Sequence, residues 1–275
     1  MRALAIIAAR ELRDGLRNRW VVTATLLLAG FALTLAFLGA TPTGVVKVSP
    51  LAVTVVSLSS LTIFLVPLIA LLLSHDAIVG DIDRGTMALL LSYPVARWQV
   101  MLGKFAGHVA ILGFATGVGY GAAGVALSFA GGSTSDAWGA FIAMIGSSIL
   151  LGAAFIAIGY LISTLVRDRG TAAGIALGVW LLFVLIYDMA LIGVLVADQG
   201  RTVTSSMLSW LLLLNPADAY RMLNLTGTAD VRIFSGMSGV AGQVLLSPAA
   251  LLSALFAWVL LPLAAAIALF ARRPV

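Results

Sequence analysis

The sequence predicts an all-α integral membrane protein with six transmembrane helices, and three observations carry that expectation. Apolar residues make up 61% of the 275 and charged residues only 10%, against roughly 25% charged in soluble domains, which excludes an ordinary water-soluble globule. Six apolar runs, at 20–40, 51–73, 105–130, 138–166, 171–197 and 249–271, each reach the ~20 residues a helix needs to cross a hydrocarbon core about 30 Å thick. The sixteen Lys and Arg residues lie in the short segments between these runs. That is the pattern of membrane topology rather than of a nucleic-acid-binding surface, despite a net charge of +5. No linker sets a soluble domain apart, so 1–275 reads as one transmembrane domain.

Residues 2–19 place Arg2, Arg10, Arg13, Arg17 and Arg19 beside Leu4, Ala8, Leu12 and Leu16, the last four spaced so that they line one helical face. The spacing predicts a basic amphipathic interfacial helix over 1–19, with Arg10 and Asp14 placed to pair at i, i+4. The run that follows, 20–40, is longer than the 7 to 15 apolar residues typical of a cleaved signal and predicts an uncleaved first span. Six spans put both termini on one side. Twelve of the sixteen basic residues fall on that side, and only Lys47, Arg201, Arg221 and Arg232 on the other. Short cytoplasmic loops collect Lys and Arg, so the termini and the 75–104 loop are expected in the cytoplasm.

The 75–104 loop between spans 2 and 3 is polar, internal and patterned. Asp81, Asp83 and Arg84 offer charged contacts to a soluble partner, Gly85 permits a sharp turn before Thr86, and Pro94 stops a loop helix from running on. A rigid element there can take a push from below and pass it along the adjoining helices. On the other side, 198–248 holds an apolar run at 207–214 that is too short to span and is stopped by Asn215-Pro216. A weaker patch at 231–246 is broken by Gly236, Gly239 and Gly242. Short extracytoplasmic helices before span 6 suit both.

Gly113, Gly117 and Gly121 recur every four residues, as do Gly170, Gly174 and Gly178. Each set lies on one helix face where a neighbour's backbone can approach: a packing seam, a subunit interface or a sliding surface. Asp188 is the one acid well inside a span and needs a partner, water or a proton. A structural hydrogen bond, with Tyr187 or across a dimer, and a place in a transport path both satisfy that need.

Several chemistries are excluded. Gly103-Lys104 is followed by Phe105, so the chain has no P-loop and ATP hydrolysis would fall to another polypeptide. Thr116-Gly117-Val118-Gly119-Tyr120-Gly121 sits inside a continuous span without a pore helix before it, which argues against a potassium filter. Ser238, between Gly236 and Gly239, has no base within reach, since His75 and His108 belong to the other side. Eight methionines, two histidines and no cysteine show no convergent soft-metal site. No metal site, catalytic residue or bound cofactor is expected in this chain.

Three stretches carry a family resemblance that covers the whole chain. They are the basic N-terminal helix leading into span 1; Asp81-Ile82-Asp83-Arg84-Gly85-Thr86 with Leu89-Leu90, Tyr93-Pro94-Val95-Ala96-Arg97 and Gly103-Lys104; and Leu214-Asn215-Pro216 before the last span. In these the chain resembles the membrane subunits of type-2 ABC exporters. That resemblance implies a coupling helix within 75–104 and a cytoplasmic ABC ATPase as the partner that binds ATP and magnesium. The family often carries Glu where this chain has Asp81 and Asp83, which leaves open which acid makes the contact. The likeness is closer still to the permeases linked to nitrous oxide reductase maturation. It implies a homodimer in the bacterial inner membrane lipid, a periplasmic copper-handling partner, and a role in copper-centre assembly and denitrification. Whether a substrate such as a sulfur species passes, or only motion does, stays open. The alternative is a membrane scaffold anchoring periplasmic assembly factors without transport.

Overall fold

The computed structural model describes residues 2–38, 50–129, 135–198, 202–225 and 246–273. The 231–246 patch, apart from Leu246, and Ser238 lie outside the described residues. Helix α1 (Arg2–Leu16) precedes the first span, α2 (Arg19–Leu38). The second span is α3 (Pro50–Ser74), which turns into two short helices, α4 (Val79–Asp83) and α5 (Thr86–Leu91). The third and fourth are α6 (Arg97–Phe129) and α7 (Ser135–Leu165). The fifth is composite: α8 (Arg169–Leu181), a π-helical turn Leu182–Ile186, and α9 (Tyr187–Asp198). Helices α10 (Ser205–Leu213) and α11 (Pro216–Leu225) follow, and the last span is α12 (Pro248–Arg272). Among the described residues six helices are thus long and apolar enough to cross a membrane, and there is no strand.

Helix starts follow from local chemistry. Asp168 accepts from Thr171 N at 2.8 Å and from the Thr171 hydroxyl at 2.7 Å, capping α8. Those donors hold its carboxyl below the usual range. Thr204 caps α10 and Ser247 caps α12, where Pro248 takes the first-turn position that needs no amide donor.

The centre of the bundle is α7, the most deeply buried span, packed along both α3 and α12. Hydrocarbon offers no hydrogen bonds, so buried hydroxyls must find partners inside. Tyr120 meets Thr62 at 2.8 Å, Tyr160 meets His108 Nδ1 at 2.6 Å, and Tyr220 meets Ser148 at 2.9 Å. Helices α1 and α2 run beside α6 in the same direction. Ile7 lies over Gly103, Glu11 over Gly107, Gly15 against Ile111 and Leu28 over Gly119, so close that side chains on Gly103, Gly107 or Gly119 would collide. With 33 residues, α6 is about 50 Å long, well beyond a ~30 Å core. Helix α1 stands beside the overhang, with Ile7 buried and Leu4, Ala8 and Leu12 half-buried.

Two arginines close the α1 end of the bundle. Arg97 donates to Phe270 O at 2.9 Å and lies over the Phe270 ring, at the C-terminus of α12. Arg273 donates to Ser163 O, Thr164 O and Val166 O at 3.1, 2.8 and 2.7 Å, satisfying the last carbonyls of α7.

Candidate functional site

The loop between α3 and α6 folds into two helices rather than one. Gly85 sits between them at φ 71°, in the left-handed region, and its amide donates to Ile82 O at 3.0 Å. Asp81, one of the two acids offered as a contact for a partner, is turned inward. Its carboxylate accepts from Arg84 at 2.8 Å and from the Thr86 hydroxyl at 3.1 Å, and faces Lys104 Nζ at 2.9 Å. Thr86 also donates to Asp81 O at 3.1 Å, fastening α5 back onto α4 across the Gly85 turn.

Lys104 is the hub. Its side chain is 7% exposed and pairs with Asp81 on α4 and with Glu11 on α1. A lysine so buried is tolerable only when its charge is matched, and here two carboxylates from two elements match it. These groups line a polar cavity of about 320 Å³ that also holds Arg10, Asp76 and His108.

On the other side of α4, the Ser163 hydroxyl on α7 accepts from the amides of Ile78 and Val79, both at 3.0 Å, taking two donors at the helix start. Arg169, at the start of α8, donates to Gly80 O at 2.8 Å and stands 3.6 Å from the Asp83 carboxylate. The guanidinium lies against Gly80, where a Cβ would come within 3.2 Å of it. The α4–α5 element is therefore tied directly to α6, α7 and α8, and through Lys104 to α1. Asp83 and Arg84, with side chains 40% and 49% exposed, are its open charged groups, and Pro94 is exposed in the strap between α5 and α6.

Asp188 is also paired. Arg221 on α11 donates to it at 2.5 Å and to Asp218 at 2.8 Å. Asn215 donates to Asp218 at 2.9 Å and to Phe183 O, also at 2.9 Å, in the π-helical turn that precedes Asp188. The Tyr187 hydroxyl turns instead to Leu211 O at 2.6 Å. Two carboxylates thus share one guanidinium. Asp218 is pushed up to about 7, by burial first and then by the Asp188 charge, with Arg221 opposing. Arg221 is raised by these two acids against the cost of its own burial.

The glycine sets lie apart from the tight contacts of this chain. A Cβ would meet nothing within 4 Å at Gly117, Gly121, Gly174 or Gly178; at Gly113 it would make ordinary contact with Ile149, and at Gly170 only with Asp168 beside it. Span five, α8 to α9, is the least covered, with only 6% of its most apolar stretch buried despite a mean hydropathy of 2.5.

Glu11, Lys104, Arg169, Asn215, Asp218 and Arg221 make the contacts that hold these sites. Sequence carried a faint signal for some of them. Glu11 is an acid on the otherwise apolar face of α1, and Asp218 and Arg221 are an i, i+3 pair just after Asn215-Pro216.

A family model described as ABC-2 family transporter protein matches residues 5–275. The chain belongs to the ABC-2 transporter family. It is similar to a protein of Pseudomonas aeruginosa named "Probable ABC transporter permease protein NosY", 46% identical over 271 residues and 98% of each chain. It is likewise similar to one of the same name in Stutzerimonas stutzeri, 44% identical over 269 residues and 97% of each chain. As an ABC-2 family membrane subunit it is a multi-pass membrane protein and not itself an enzyme, since separate subunits of such transporters carry the ATPase activity.

Proposed function

We propose that this chain is the permease of an ATP-driven ABC transporter that couples hydrolysis in a cytoplasmic ATPase to transport, or to mechanical signalling, across the bacterial inner membrane. In this reading the α1 end and both termini face the cytoplasm, and the process served is copper-centre assembly of a periplasmic nitrous oxide reductase. The observation that carries the reading is the α4–Gly85–α5 element. It is short and rigid, it presents Asp83 and Arg84 outward, and it is bonded to Lys104 on α6, Ser163 on α7 and Arg169 on α8. A push received there reaches three spans as one displacement, because packed helices shift as units.

A homodimer fits the same picture. A 30-residue apolar span left almost wholly uncovered by the rest of the chain, with Gly174 and Gly178 facing open space, suits a close approach by a second copy. The decisive experiment measures ATPase activity of the reconstituted permease–ATPase complex with and without its periplasmic copper-handling partner. Activity that responds to the partner supports coupling across the membrane. Activity indifferent to it would leave a scaffold that only anchors assembly factors. Replacing Asp83 and Arg84 together by alanine should reduce capture of the ATPase, and undiminished capture removes the coupling role.

A further inference from the structure

The polar cavity between α1, α4, α5 and α6 holds two groups that the ion-pair network leaves unmet. The half-buried Asp76 carboxylate has no hydrogen bond and no cation partner among the described residues. His108 is 8% exposed; Tyr160 engages its Nδ1, while no side chain among the described residues bonds its Nε2. Among the groups lining the cavity, Glu11, Asp14 and Asp81 are matched in number by Arg10, Arg84 and Lys104, which leaves Asp76 as the fourth acid; the Arg169 guanidinium approaches it only across Gly80 and does not pair with it. Two of those cations are only partly engaged. The Arg10 side chain, 72% exposed, reaches Asp14 at 3.6 Å, and Arg84, 49% exposed, gives one nitrogen to Asp81.

Depth narrows the choice of ligand. Trp20, Leu73 and Ile111 cluster at one level, where the apolar runs of α2 and α3 start and stop. At 1.5 Å per residue, His108 and Lys104 lie roughly 5 and 10 Å beyond Ile111 along α6, and Asp76 lies in the turn just after the end of α3 at Ser74. A headgroup layer of about 5–7 Å flanks each face of the hydrocarbon core. A simple cation would meet the exposed arginines, and a simple anion would meet the unpaired carboxylate. A zwitterion satisfies both.

We propose that this cavity binds the headgroup of an aminophospholipid, its primary ammonium donating to Asp76 and to His108 Nε2 and its phosphate met by Arg10 and Arg84. Ile7 and Leu90 in the cavity wall suit the connecting methylenes. Headgroup binding here does not require coupling to an ATPase.

The test is native mass spectrometry of the permease with its ATPase, purified in mild detergent from membranes holding phosphatidylethanolamine and phosphatidylglycerol. Phosphatidylethanolamine should be retained in preference, and Asp76→Asn should lower its occupancy by roughly tenfold, the scale of one charge-assisted hydrogen bond. Asp76→Glu should restore it. Phosphatidylcholine should compete poorly, because its quaternary ammonium has no hydrogen to donate. Soluble phosphoethanolamine should not displace the lipid; displacement would mean a soluble ligand and overturn the lipid assignment. Equal retention of the two lipids, or unchanged occupancy in Asp76→Asn, overturns the proposal. So does loss of the ATPase from Asp76→Asn with the lipid intact, which would give the cavity to a cationic side chain of the soluble partner.

Discussion

Lys104 Nζ on α6 stands 2.9 Å from the Asp81 carboxylate on α4, and the lysine side chain is 7% exposed. This contact joins the start of span three to the loop that precedes it, and Glu11 extends it to α1. Removing the cation leaves two carboxylates facing each other in a partly buried site. Lys104→Met should therefore cost about 3 kcal/mol, read as a lower unfolding midpoint of the purified protein. Adding Asp81→Asn to Lys104→Met should recover part of the loss, and a double variant no better than the single one would mean that the two groups are not coupled.

Gly85 and Gly80 carry different constraints, and their substitutions should separate. Gly85→Val places a β-branched residue at positive φ and should cost about 1–2 kcal/mol, with Gly85→Asn milder because Asn tolerates the left-handed region. Gly80→Leu keeps an ordinary backbone but drives the Arg169 guanidinium off Gly80 O. Limited proteolysis between α3 and α6 should accelerate in both Gly85→Val and Gly80→Leu, and should remain near wild type in Gly85→Asn.

Asn215 works at two places. It starts α11 by accepting from Ala217 N at 2.9 Å, and it serves a carbonyl of the π-helical turn at Phe183. A π turn shifts the hydrogen-bond register of a span, so a side-chain donor there is structurally valuable. Asn215→Ala should cost about 2 kcal/mol, and Asn215→Asp, which keeps the acceptor but loses the amide donor, should recover little of it. A thermal unfolding series of the three proteins checks this.

Burial and the neighbouring Asp188 lift Asp218 from 3.8 to about 7, so the folded protein binds its proton more tightly than the unfolded chain does. Its contribution to stability is present in full below pH 4 and is lost as pH rises through about 7. Unfolding midpoints between pH 5 and pH 8 should therefore fall with rising pH, and Asp218→Asn should flatten that slope. A slope unchanged in the variant would place the titration elsewhere.

The chain contains no cysteine, so single cysteines report contacts between copies without background. Ile186→Cys and Met189→Cys, at side chains 53% and 72% exposed on span five, should form a disulfide-linked dimer in membranes under mild oxidation. Ala157→Cys, buried in α7, should not. Failure of both span-five positions would remove that face as the dimer seam.

Much of the architecture was legible in the apolar runs, because hydrocarbon demands about twenty apolar residues per helix whatever the neighbours are. The turn at Gly85, the stop at Asn215-Pro216 and the amphipathic α1 were legible for similarly local reasons. Partnership was not. Asp81 reads from sequence as one of two acids offered to a partner, and its carboxylate faces Lys104; Asp188 reads as an intramembrane acid in need of a partner, and it meets Arg221, 33 positions away. The glycine periodicity pointed to Gly113, Gly117 and Gly121, whereas α1 and α2 come closest over Gly103, Gly107 and Gly119. Sequence by itself determined that the chain forms helices long and apolar enough to cross a membrane, since that depends on each segment's transfer from water. The tertiary structure alone decided which charges meet and which glycine face is covered, since a charge or a missing side chain acquires its role only from what packing brings within a few ångströms.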